Sequence, residues 1–406
     1  MSASAAKRAA TDAPRVPGDF TPPGEAIARV ERRALVVGTV ALVVGVIGGV
    51  LDPAQFFRSY LVAFVFCLGV PLGCFGVAML HHVSSGAWGL MIRRILEAAA
   101  RTLPWMALFF VPLLLGVKKL YPWADPALVA RDALLRHQSS YLNVPFFAVR
   151  ALLYFAIWST LALVLDRLSR RQDATGDPGL SRRMRLVSAV GLGLFCLCGT
   201  FASIDWLMSL DPHWSSTIYG FYVVGGHVVS AFAFIVLIGL FLARRRPMDG
   251  VLRPVHFHDY GKLMLAFVVL WAYFAASQLI IMYQGNIAEE VAWYRGRLLG
   301  GWFPVTVLLF ALHFALPFLL LLSRDLKRNV RRLAIVAGLL LFMRWVDVYW
   351  LAAPAFSPDH PRVHWLDFVL PFALGGVWVG LFARQLRKHP LLPVGAPGLA
   401  EALGHD

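Results

Sequence analysis

Arg344 and Asp347 stand three residues apart in an otherwise apolar run. On a helix they share one face, so they can pair or look into one cavity. Such groups ask for an explanation, because an unpaired charge in hydrocarbon costs at least about 2.5 kcal/mol. His227, His313, Gln278, Asp205 and Arg150 also fall inside or at the edge of apolar runs. At 1.5 Å per residue, Arg344 and Asp347 lie about 18 and 22 Å into their run, and His227 and His313 about 14 and 16 Å into theirs. A carboxylate beside an arginine can accept a proton, as can a histidine near neutral pH. Together with the acids Asp211, Glu289 and Glu290, these residues have the inventory of a proton path or ligand site. Each also has a plain alternative. Arg344–Asp347 can be a purely structural pair, the histidines can bridge helices, and Arg150 can snorkel.

These residues need helices that cross a membrane to hold them. Of 406 residues, 59% are hydrophobic and only 15% charged, against about 25% charged in soluble domains; the mean hydropathy is +0.66. Apolar runs punctuated by charge, Pro or Gly predict ten spans, over residues 34–51, 57–80, 103–118, 144–165, 186–207, 217–242, 262–283, 302–322, 332–353 and 365–384. The third is the least regular, since Pro104 and Pro112 interrupt it. The expected fold is thus an all-α integral membrane protein, with a tail at 1–33, a ten-helix domain at 34–384 and a second tail at 385–406.

Charge sets the expected orientation. Of the 38 Lys and Arg residues, 28 fall on the side that would carry both termini, and eight on the other: Arg58, Lys118, Lys119, Arg131, Arg136, Arg295, Arg297 and Arg362. This bias predicts cytoplasmic termini, and only an even number of spans preserves the alternation. It also accounts for the net charge of +15 without nucleic acid, as the basic residues are dispersed between spans rather than gathered in a patch. The basic connections Arg167–Arg185 and Arg244–Arg253 read as lipid-facing anchors. No signal-peptide core precedes Arg33.

Several chemistries find no motif. Cys67, Cys74, Cys196 and Cys198 lie in apolar runs and read as packing thiols; no C-x-x-C-H is present for covalent haem. No metal-ligand spacing, P-loop or G-x-S-x-G elbow occurs. A haem b between His227 and His313 is compatible in depth, although each helix supplies a single candidate.

Four strings carry a more specific signal: the stretch from Phe201 to Gly220 (FASIDWLMSLDPHWSSTIYG), Tyr283 to Tyr294 (YQGNIAEEVAWY), Arg344 to Trp350 (RWVDVYW) and His389 to Val394 (HPLLPV). In order and content they resemble the F-type membrane component of alternative complex III, the second of its two quinone-binding components. That family is similar to the NrfD/polysulfide-reductase membrane proteins. The resemblance implies two four-helix bundles, spans two to five and six to nine, flanked by spans one and ten. It also implies membership of a respiratory quinol:electron-acceptor oxidoreductase in a bacterial inner membrane. Partners would be a sister NrfD-like protein, an iron–sulfur protein and a multihaem cytochrome c, which would hold the iron–sulfur and haem centres. Menaquinone or ubiquinone is the implied ligand, and His213 and Tyr283 join the candidates on these strings. F-type components are associated with quinone binding or a proton path, so no residue is assigned a catalytic role and the chain is not expected to act alone. A scaffold within the complex and a secondary transporter are the competing readings.

Overall fold

The computed structural model describes residues 19–404. Among the described residues ten helices are long and apolar enough to cross a membrane, which makes the chain a multi-pass membrane protein in contact with lipid. They are α1 (Gly24–Leu51), α2 (Pro53–Ser84), α3 (Arg93–Leu120), α4 (Val144–Thr175), α5 (Gly179–Trp206), α6 (Tyr219–Ala243), α7 (Pro254–Gly285), α8 (Phe303–Leu322), α9 (Val330–Ala352) and α10 (Trp365–Leu386). Among the described residues there is no strand.

Short polar residues start these helices by accepting orphan backbone N–H groups. Asp52 takes Gln55 N at the start of α2, Asn143 takes Phe146 N at α4, and Asn329 takes Arg332 N at α9. Proline follows Asp52 and Thr102 within the first turn, where its missing N–H has no helical partner to lose. That is how α3 accommodates Pro104: a turn at Arg101-Thr102 joins the helix Arg93–Ala100 to the helix Leu103–Leu120.

Helices α2 to α5 form one four-helix bundle and α6 to α9 another, joined mainly where α2 meets α6. The central position of α2 is plain from its apolar window, 94% buried, against 22% in α7 and α8. Helices α1 and α10 pair with each other on the flank, and α10 also lies against α2. Both described chain ends fall on one face, called here the terminal face; the opposite one is the far face.

Helix ends extend past the apolar runs. α4 has 32 residues, about 48 Å of helix, so its last turns rise beyond a hydrocarbon core of about 30 Å. α1 begins at Gly24, within the segment expected as a tail; residues 1–18 of that tail lie outside the described residues, as do 405–406. After α10 the chain folds back onto the protein. Leu391 N donates to Phe20 O at 2.9 Å, Gly395 N donates to Asp173 Oδ1 at 3.3 Å, and the short helix Leu399–Gly404 packs on the helix Ala87–Leu90.

The α1–α10 crossing depends on absent side chains. A Cβ on Gly38 would lie 2.5 Å from Val377 N and 2.8 Å from the Gly376 carbonyl carbon, the small-residue contact that lets membrane helices approach. Gly38→Ile should therefore lower the thermal unfolding midpoint in detergent, whereas Gly193→Ala, with nothing within 4 Å of the added Cβ, should leave it unchanged. The C-terminal segment yields a pH prediction. Burial, then the positive charge of Arg101, pushes His389 down to about 4, with Arg94 and Arg170 adding to this and Asp166 opposing it. The released segment takes up a proton near the ordinary histidine value of about 6.5, so docking weakens as pH falls from there toward 4. Hydrogen exchange at residues 391–399 should report faster opening at pH 5 than at pH 7, and His389→Gln should flatten the difference.

Candidate functional site

All four helices of the second bundle contribute to one buried cluster. Arg344 and Asp347, at 1% and 0% side-chain exposure, form an ion pair along α9. Helix α6 completes it: Tyr222 donates its hydroxyl to Asp347 Oδ1 at 2.5 Å, and Arg344 Nη2 donates to Val223 O at 3.2 Å. Gly226, one turn beyond Tyr222, has no side chain to collide with the Arg344 guanidinium. These extra bonds matter because mutual attraction alone seldom offsets the desolvation of two charges.

Two histidines and a tryptophan border the pair. His227, next to Gly226, turns its ring to α2, where a Cβ on Gly69 would stand 2.7 Å from its Nδ1. A cavity of about 10 Å³ beside it is lined in part by Trp158, Trp206 and Val223, room for about one water. His313 sits in a π-helical segment, Phe310–Ala315, within α8. Such wide turns are rare and concentrate at functional sites. Its fully buried ring lies 4.2 Å from that of Trp271 on α7, and neither ring nitrogen is hydrogen-bonded to a side chain. Arg344 is within electrostatic reach of both histidines, and Asp347 of His313. Trp271 also contacts the Tyr222 ring, at 5.5 Å. The cluster thus holds a carboxylate and a phenol on one guanidinium, with one imidazole stacked on Trp271 and another facing α2, groups able to accept, hold and return a proton.

The other candidates divide among three places. Gln278 bridges Ser216 Oγ (3.3 Å) and the Tyr294 hydroxyl (2.9 Å), toward the far face from the cluster. Asp211 lines a far-face cavity with Arg297, and His213 pairs with Asp132 at 2.8 Å on the exposed surface. Tyr283 and Glu289 are exposed and Glu290 half-buried, none of them brought to the cluster. Asp205 belongs to the first bundle. Arg150 Nε and Nη2 each donate to it at 2.8 Å, the Tyr154 hydroxyl does the same, and Arg150 Nη1 reaches Tyr141 O. Arg150 is therefore held in a bidentate pair between α4 and α5.

A second buried charge network, at the terminal face, is not among the sites expected from the sequence. Glu97 accepts from Arg93 (2.9 Å), Arg94 (2.5 Å) and Ser169 (2.6 Å); Arg94 also pairs with Asp173, and Arg101 with Asp166 at 2.8 Å. The segment read as a lipid-facing anchor thus has two sides: Arg170 is 46% exposed, while Asp166, Ser169 and Gln172 of the same helix face inward. Repeated spacings of three and four, at Arg93/Arg94/Glu97 and Asp166/Ser169/Asp173, were the available signal. Tyr222, Trp271 and Arg297 carried no comparable mark.

The four cysteines are free thiols, and no group of three or more metal-ligating side chains is gathered among the described residues. Compared with known families the chain matches no family model, and no characterised protein matches it.

The Arg150–Asp205 pair gives a stability prediction. Arg150→Met strands a buried carboxylate and should lower stability by about 3–5 kcal/mol, whereas Arg150→Met with Asp205→Leu should recover much of the loss. Thermal unfolding of the three proteins in one detergent measures it.

Proposed function

We propose that this chain is the F-type membrane component of a quinol:electron-acceptor oxidoreductase of the alternative complex III kind, and that its second bundle carries protons. The supporting observation is the buried Tyr222–Asp347–Arg344 arrangement with His227, His313 and Trp271, to which every helix of that bundle contributes a residue. The RWVDVYW string supplies its ion pair, so the resemblance and the cluster coincide on the same residues. Quinol oxidation releases two protons with two electrons, and each proton needs an acceptor and a way to water. Asp347 is the acceptor in this reading. Tyr222 relays toward Tyr219, whose ring is 6.5 Å away, and the Ser216–Gln278–Tyr294 chain lies beyond.

The space beside His227, about 10 Å³, suits a water and not a quinone ring. This favours the proton path over a quinone pocket at that point and leaves the quinone, menaquinone or ubiquinone, to the sister NrfD-like protein. Electrons would travel through the partner iron–sulfur and haem proteins. With 28 of 38 basic residues assigned by the sequence to the side that carries both termini, the terminal face is cytoplasmic in this reading, the far face periplasmic, and the membrane a bacterial inner membrane.

A scaffold role is the second reading, favoured by the hydrogen bonds that already satisfy the Arg344–Asp347 pair. Asp347→Asn separates the two. As a proton carrier its loss should lower quinol turnover and proton release of the assembled complex at least tenfold, with assembly intact. As a scaffold it should reduce the amount of complex and leave specific activity unchanged. Wild-type turnover and proton yield in a fully assembled variant would defeat the proton reading.

A further inference from the structure

At the far face the helix Ala288–Leu298 carries two arginines in its last turn. Arg295 is exposed; Arg297 is buried, at 5% exposure. The Arg297 guanidinium lies 3.5 Å over the Trp293 ring and 5.3 Å from that of Trp350. Nη1 donates to Trp293 O at 3.0 Å, Nη2 to Leu351 O at 3.3 Å, and Nε has no partner. A guanidinium offers five N–H groups, so most of its donor capacity is unused.

The other buried arginines among the described residues meet a carboxylate: Arg93 and Arg94 have Glu97, Arg101 has Asp166, Arg150 has Asp205 and Arg344 has Asp347. Arg297 forms no ion pair among the described residues. Burial pushes its pKa down to about 9, while Tyr219, Asp211, Tyr294 and Tyr222 act in the opposite direction. It is a cation at pH 7 all the same. Taking such a charge out of water without a counter-ion is strongly unfavourable.

A surface cavity of about 120 Å³ adjoins it, walled by Arg297, Asp211, Trp293, Leu207 and Leu351. That is room for several waters, or for a carboxylate with a short apolar tail. Asp211 is the other charge on the wall, half-buried and outside ion-pair distance of Arg297. Water screens it better than it screens the guanidinium.

We propose that this cavity is a binding site for a small carboxylate, which enters from the far face and takes the Nη N–H groups of Arg297 that the two backbone carbonyls leave free. Charge-assisted bonds of this kind are the stronger ones available to a guanidinium, and the leucine walls suit a methyl or ethyl tail. The site lies outside the Asp347 cluster and does not depend on the electron-transfer reading.

The test uses the full chain in detergent, with unfolding followed by a dye that reacts with its buried thiols, Cys67, Cys74 and Cys198. Sodium acetate is titrated against sodium chloride at constant ionic strength. A ligand that binds only the folded state raises the midpoint, so wild type should show a rise of several degrees that saturates with acetate. Arg297→Gln should lose it. Asp211→Asn, which removes the like charge, should keep the rise and reach half-saturation at roughly threefold lower acetate, a shift of about 0.65 kcal/mol. Acetate no better than chloride in wild type, or an equal rise in Arg297→Gln, overturns the proposal. Should Arg297→Gln fail to fold, Asp211→Asn decides. Half-saturation left at the wild-type acetate concentration there would place the acetate away from this cavity and overturn the proposal equally.

Discussion

A charge inside an apolar bundle has no water to stabilise it, so its compensation has to come from the groups packed around it. That constraint organises this protein more than any single helix contact. Arg344 meets Asp347 within one helix, Arg150 meets Asp205 across two, and the terminal-face arginines share Glu97, Asp166 and Asp173 among α3 and α4. Tyrosine or serine hydroxyls complete the carboxylates in three of these groups: Tyr222 on Asp347, Tyr154 on Asp205 and Ser169 on Glu97. Each pairing fixes the rotation of its helices about their axes, which apolar packing against lipid does only weakly.

Close backbone approach supplies the second determinant. Glycines stand where polar side chains must pass between helices. Gly69 faces the His227 ring and Gly226 faces Arg344, both at the contact of α2, α6 and α9. Had either carried a larger side chain, the imidazole or the guanidinium would be displaced from the interior. The polar cluster and the glycines around it are therefore one device: the first needs space in a crowded core, and the second provides it.

The ten spans were legible because apolar length is a property of the chain itself, and their charge bias likewise. The Arg344–Asp347 pair was legible for the same reason, since a spacing of three on one helix is local information. Arg150 with Asp205 was not, because 55 residues separate them and either side chain alone is equally compatible with snorkelling. The terminal-face network was obscured by its surroundings: Asp166 and Ser169 lie among exposed arginines, and composition averages the two faces of a helix together. The candidate site was scattered for a related reason. Depth along a helix can be counted, but rotation about it cannot, so Asp205 shared a level with the second-bundle residues while facing another bundle. Tyr222 gives no signal by itself, because a tyrosine in an apolar run is ordinary until a carboxylate stands opposite.

The pairing of α1 with α10 has a consequence for biogenesis. Gly38 and Gly376 touch although they belong to the first and last spans, and Phe20 accepts a hydrogen bond from Leu391. The earliest of the ten spans to leave the ribosome thus has its main partner in the latest. Until α10 is inserted, α1 has only its lighter contact with α2, where Gly49 meets the Phe56 ring, and otherwise faces lipid, which its long apolar run allows. The pairing then works as a clasp: it closes only after both bundles have been synthesised, and a chain ending before α10 would leave the glycine face of α1 open to lipid.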